Sequence, residues 1–333
     1  MSDAWLAVGF AAAAGISLAT SWLLVSRLER VGARLGLSEA LLGMVAALAA
    51  DAPEITSAVT ALAGHHARIG AGVVIGSNVF NLAALLGLSA VVAGGIALHR
   101  RVVAMEGAVA VAVAGLCLLT VIGTLPPAAG LGGVALLLLP YLVLLGTRPE
   151  RLRRAGLPAP LTAWLSEAIR EEESELAPAI HPRRARMPDE VTAAIAVLVV
   201  VGASVAMEQS ASRLGARHGV PEYVTGGLVL AAVTSLPNAV AALYLARRGR
   251  GAATLSTALN SNALNVAIGL LLPATIAGLG APSGQGTLVA AWYLGMTALT
   301  LGFAYTGRGL RRAEGGLIIA AYLAFIVVLL VAA

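Results

Sequence analysis

Lysine is absent from this chain of 333 residues, and all 22 of its basic residues are arginine. Charge of either sign is scarce at 12%, aromatic residues make up 4%, and there is a single cysteine, Cys117. One thiol excludes a disulfide framework and a cysteine-based metal site within one chain. The absence of any G-x-x-x-x-G-K-[S/T] pattern excludes a phosphate loop, in spite of glycines such as Gly70 and Gly72. The arginines fall between apolar runs, where they set membrane orientation, so no nucleic-acid partner is expected. What remains is 59% hydrophobic, with a mean hydropathy of +0.88. That is too apolar for an ordinary water-soluble domain, and the solvent is a lipid bilayer. Ala, Leu, Val and Gly supply most of the apolar mass, and small residues of this kind let membrane helices approach closely.

Crossing the hydrocarbon takes roughly 20 apolar residues. Such runs lie near 4–25, 38–64, 71–97, 102–122 and 126–146, then near 190–210, 222–246, 252–279, 286–306 and 315–332. The first lacks a basic leader and reads as a retained span rather than a signal peptide. If ten spans alternate, Arg68, Arg213 and Arg217 fall on one side and the other nineteen arginines on the opposite side. This bias predicts termini outside and a cytoplasmic central loop, in a bacterial or archaeal inner membrane. The expected organisation is a first five-helix repeat over 1–146, a linker loop over 147–188 and a second five-helix repeat over 189–333. Glu167, Glu171, Glu172, Glu173 and Glu175 in the linker lack the spacing of a calcium loop, and predict a solvated amphipathic helix on the membrane surface.

The two halves align without a gap. GMVAALAADAPE at 43–54 matches GLVLAAVTSLPN at 227–238, and GSNVFN at 76–81 matches NSNALN at 260–265, both at an offset of 184. Five spans per half make the second copy enter the membrane upside down, an inverted-topology repeat. Alternating-access transporters are built this way, with substrate sites near mid-bilayer on interrupted helices. The fold class expected is therefore all-α integral membrane, with ten transmembrane helices as two inverted repeats of five.

Within the second span stand Asp51, Pro53 and Glu54. A carboxylate at bilayer depth costs about 2.5–3.5 kcal/mol on insertion scales, so two of them require compensation. Three residues apart, they share a helical face and repel unless protonated or bridged by a cation. Pro53 lacks an amide hydrogen and releases the carbonyl of Ala49 as a potential oxygen ligand. Ser77, Asn78 and Asn81 follow on the third span. The second half offers Thr234, Ser235 and Asn238, then Asn260, Ser261, Asn262 and Asn265. These oxygens suit calcium, sodium or magnesium, with no sulfur or imidazole to favour zinc or copper. Asp51 and Glu54 are the expected metal ligands, with helix packing as the rival role for Ser77, Asn81, Ser261 and Asn265. His65 and His66 are read as solvated loop residues, with an external pH sensor as the alternative. Glu106 and Glu208 are expected near span ends, reaching headgroups. No nucleophile and base pair is evident, so an enzyme is not expected.

The paired motifs resemble those of the sodium/calcium exchanger, or cation/calcium antiporter, superfamily across nearly the whole chain. The resemblance implies a central diamond of motif helices around one calcium site and sodium sites. It makes Glu54 a central calcium ligand, with Ser77, Asn81, Ser235, Ser261 and the carbonyls of Ala47, Ala50, Ala231 and Thr234 around it. The first motif departs from the family pattern, with Asp51 in place of serine and Ala50 in place of threonine. In the second motif Asn238 replaces the second glutamate, and Asn265 stands where some relatives have aspartate. Both acids thus come from the first repeat. The expected function is a secondary antiporter that exchanges calcium for sodium, with no cofactor. Proton coupling or another divalent cation is the alternative, and a passive channel or a non-transporting membrane protein is the reading from another class.

Overall fold

The structure is a computed structural model that describes residues 2–36, 39–145, 158–176 and 189–332. The first half contains α1 (Asp3–Arg34), α2 (Glu39–Ala50), α3 (Ala52–Ala63), α4 (Ala67–Ala93), α5 (Arg100–Val121) and α6 (Pro127–Leu145). After the linker helix α7 (Ala159–Leu176) come α8 (Asp189–Arg217), α9 (Glu222–Thr234), α10 (Leu236–Arg247), α11 (Gly251–Ala277), α12 (Gly284–Thr306) and α13 (Arg312–Val331). Among the described residues, eight helices are long and apolar enough to cross a bilayer. The bent pairs α2–α3 and α9–α10 bring the number to as many as ten.

The two bends occur at equivalent places, 53° at Asp51 and 47° at Ser235. Asp51 has φ −79° and ψ −7°, Ser235 has φ −82° and ψ −4°, and each is followed two residues later by a proline in the first turn of the next helix. Proline is tolerated there because the first-turn amide has no intrahelical acceptor. Beyond the break, the motif helices α4 and α11 pass into π-helical turns at Leu82–Leu88 and Asn265–Leu271, so the duplication extends to a rare local geometry. A third π-helical turn, Thr225–Leu230 in α9, has no counterpart in α2, which is regular.

The motif helices cross at nearly backbone contact. A Cβ on Gly76 would stand 2.3 Å from the carbonyl oxygen of Gly227, and one on Gly226 would stand 2.3 Å from that of Ile69. Glycine here is the condition for α4 and α9 to meet, in the small-xxx-small manner of membrane helices.

Several boundaries differ from the sequence expectation. The third span ends at Ala93, where Gly94 takes φ +84°. The residues after it form a short strand, β1 (Gly95–Ala97), paired antiparallel with β2 (Gly309–Arg311), so a small ribbon interrupts the otherwise all-α fold. The first helix continues to Arg34 because its last turns are neutralised. Arg27, Arg30 and Arg34 reach the wholly buried Asp189 of α8 at 2.5, 3.2 and 3.4 Å, and Arg34 also reaches Glu190 at 2.9 Å. The linker helix is more than a solvated amphipath. It packs on α5 and α11, buries Thr162, Ser166 and Ile169, and sets Glu167 and Glu171 at 3.0 and 3.2 Å from Arg101. The other linker arginines, apart from Arg170, lie outside the described residues. Glu106 and Glu208 do not reach headgroups, being 2% and 3% exposed, and Glu106 accepts a hydrogen bond from Ser256. His66 is half exposed, with Nδ1 3.6 Å from Glu222.

Gly76→Ala is expected to destabilise the protein by about 1–3 kcal/mol through overpacking. Gly115→Ala, where no atom lies within 4 Å of the added methyl group, should be neutral or slightly stabilising. Thermal melts of both variants in detergent check this, and equal melting points would contradict the close crossing.

Candidate cation site

The breaks and the motif helices converge on a polar centre from which the surface is fully excluded. Asp51, Glu54, Ser77, Asn78, Asn81, Thr234, Ser235, Asn238, Ser261 and Asn265 are all 0% exposed. Two half-helices, α2 and α9, end here, so their negative dipole ends and last carbonyls face the centre, an arrangement suited to a cation. Asp51 stands at the N-cap of α3 and Glu54 in its first turn, where the positive helix end favours ionised carboxylates.

Neutral donors from the second half hold the two acids. Glu54 Oε1 accepts from the Ser235 hydroxyl, and Oε2 accepts from Asn265 Nδ2 at 2.8 Å. Asp51 Oδ1 accepts from Ser261 Oγ at 2.5 Å and from Asn238 Nδ2 at 2.6 Å. Asn81 Nδ2 donates to Asn262 Oδ1 at 3.0 Å and approaches Ser261 Oγ at 3.4 Å. Three residues apart at the start of α3, the two carboxyl groups share one side of the helix.

Much of this network obeys the repeat. The offset pairs Glu54 with Asn238 and Asp51 with Ser235, so it relates the Ser235–Glu54 bond to the Asn238–Asp51 bond, and in the same way it relates Asn81–Asn262 to Asn265–Asn78. At the crossing, Asn78 donates to the backbone carbonyl of Asn262 at 3.0 Å, and Asn262 returns the bond to the carbonyl of Asn78 at 3.1 Å. The symmetry fails at the hydroxyls. Ser261 donates to Asp51, while its counterpart Ser77 has no partner.

Ser235, Asn238, Ser261 and Asn265 donate to the carboxylates, and oxygens are left over. Among the described residues, Asp51 Oδ2, Ser77 Oγ, Asn81 Oδ1, Asn238 Oδ1 and Asn265 Oδ1 are buried without a hydrogen-bond partner. Unmet buried acceptors are costly, and a hard cation is the partner that would satisfy carboxylate and amide oxygens together. No group of three or more His, Cys, Asp or Glu is found among the described residues. A metal bound at this centre would rest on two acids and neutral oxygens.

Most of the residues singled out from sequence meet here, but their backbone and hydroxyl partners need qualification. The Thr234 hydroxyl turns back on its own helix, to the carbonyls of Leu230 at 2.9 Å and Ala231 at 3.3 Å. The carbonyls of Ala47 and Ala231 accept the amides of Asp51 at 2.8 Å and Ser235 at 3.1 Å, and each retains a further lone pair. Ala50 is buried at the end of α2. Asn78 and Asn262, left out of the expected ligand set, form the clasp between the motif helices. Their recurrence beside the site residues at the same offset was the available signal.

The family described as sodium/calcium exchanger protein matches residues 5–148 and 191–331. The chain belongs to this family. Among its relatives, Sodium/potassium/calcium exchanger 3 of Rattus norvegicus is 36% identical over 83 residues, which are 25% of this exchanger-family chain and 13% of that protein. Sodium/calcium exchanger MaX1 of Methanosarcina acetivorans is 30% identical over 136 residues, 39% of this chain and 37% of that protein. The matches thus span well under two thirds of the length of these relatives. Over nearly its whole length the chain shares the fold of the H+/Ca2+ exchanger CAX. That match has a TM-score of 0.72 at 12% identity and covers 98% of this chain and 86% of that one. The sodium-calcium exchanger NCX_Mj gives 0.58 at 20% identity, covering 97% and 98%.

Because Asn78 and Asn262 exchange bonds, Asn78→Ala should cost about 1–3 kcal/mol, the penalty for removing the side-chain donor to the buried carbonyl of Asn262. Asn262→Ala should cost a similar amount, and the double variant less than the sum. Denaturation of the four proteins in one detergent measures the coupling, and strict additivity would show that the clasp is not a unit.

Proposed function

We propose that the chain is a secondary antiporter that carries calcium across the membrane in exchange for sodium, with Asp51 and Glu54 as the charged ligands. The observation that carries this is the buried carboxylate pair ringed by partnerless neutral oxygens. When ionised, the pair balances one divalent ion, and the hydroxyl and amide oxygens of Ser77, Asn81, Asn238 and Asn265 suit the weaker field of sodium. Burial of the whole site is what an occluded intermediate of alternating access requires, with the two repeats rocking about it. The arginine bias supports an orientation with the central linker in the cytoplasm.

Proton coupling is the second reading, and one feature favours it. Ser261 and Asn238 both donate to Asp51 Oδ1, leaving Oδ2 without a partner, and a second carboxyl group three residues on, Glu54, can share a proton with Asp51.

Reconstituted vesicles separate the two. With sodium as counter-ion, calcium uptake follows an outward sodium gradient and persists when a proton conductor collapses the pH gradient, and Glu54→Gln reduces it by a factor of at least about 100. Uptake that follows only the pH gradient and is abolished by Asp51→Asn supports protons instead. Flux that is coupled to neither gradient contradicts antiport.

A further inference from the structure

The buried face of α8 changes character along its length. Its half nearer Asp189 buries Ala193, Ala196 and Val200, and the first two form an apolar region with Leu24 of α1 and Ala49 of α2. Its half nearer Arg217 adds Ser204, Glu208 and Ser212, four apart and so stacked on one face, beside the buried Met207 and Ala211; Ser204 shares a hydrogen bond with Ser17 of α1 at 3.0 Å. The position that the repeat pairs with Glu208 is Leu24, so this acid has no counterpart in the first half.

Helix α8 packs along α3, which begins at the central site with Glu54 and ends at the turn bearing His66. One turn beyond Glu54 stands Ser57, wholly buried with a hydroxyl that has no partner, and beyond it the buried face carries Ala58, Ala61 and Leu62. Glu208 Oε1 also has no partner, and the charges that act on the group are His66, at the far end of α3, and Arg213 of its own helix. From Glu54 to His66 is twelve residues, about 18 Å of helix, too far for a cation to cross apolar packing in one step.

We propose that Ser212, Glu208 and Ser57 form an entry path for calcium between the His66 face of the membrane and the central site, with the Glu208 carboxylate as the intermediate ligand. A carboxylate at this depth is retained against a cost of about 2.5 kcal/mol or more, and a path lined on one side by such a charge draws cations inward. At the position that the repeat pairs with Glu208, the first half has Leu24 in place of a carboxylate. Glu208 acts in this way only if calcium is transported at Asp51 and Glu54, as proposed above.

Proteoliposomes of uniform orientation test the path by the KM for calcium on each face. Glu208→Gln should raise the KM on the His66 face about tenfold, the order of effect of removing a focusing charge, and leave the KM on the opposite face unchanged. Glu208→Asp should recover most of the loss. An equal change on both faces, or none on the His66 face, overturns the proposal. In a Cys117→Ala background, Ser57→Cys should react with a small cationic thiol reagent from the His66 face and be protected by calcium. Failure to react, or reaction from the opposite face alone, overturns it as well. If the unaltered protein carries no calcium, the exchanger reading fails, and the labelling decides whether the path exists.

Discussion

Two carboxylates three residues apart, fully removed from water in the middle of a membrane protein, are the constraint on which the rest of the site depends. On insertion scales each costs about 2.5–3.5 kcal/mol even before their mutual repulsion. The helix breaks at Asp51, placing both acids at a positive helix start, and Ser235, Asn238, Ser261 and Asn265 donate to them. The close crossing of α4 and α9 through Gly76, Gly226 and Gly227 is the backbone counterpart of the same requirement, since it brings the two motif regions near enough for neutral side chains to reach the charges.

The duplication is conserved in backbone more than in chemistry. Both broken helices bend at equivalent residues with nearly equal dihedral angles, and both motif helices pass into a π-helical turn. The side chains diverge in two ways. Charge is confined to the first repeat at the central site, while the second repeat supplies donors and carries its own extra acid, Glu208, where the first has Leu24. An inverted repeat gives two equivalent routes to the centre by geometry, and substitutions of this kind are how one route becomes different from the other.

The spans, the inverted repeat and the meeting of Asp51, Glu54, Asn81, Ser235, Asn238, Ser261 and Asn265 were legible in the sequence because each has a local signature: hydrophobic length, a fixed offset, a proline beside an acid. What was not legible depends on contacts distant in the chain. The burial of Glu106 and Glu208 is set by neighbouring helices, not by their distance from a span end. Arginines usually end a span, yet Asp189, over 150 positions after Arg34, neutralises that turn within the helix. The π-helical turns and the Asn78–Asn262 clasp follow from backbone geometry and helix crossing, which composition does not reveal.

The central claim is that two acids from one repeat and neutral oxygens from both form a single divalent-cation site. Calorimetric titration of the purified protein with calcium tests it most directly. The account predicts one calcium bound per chain, with the binding heat lost in both Asp51→Asn and Glu54→Gln. Binding that survives in both variants would contradict it.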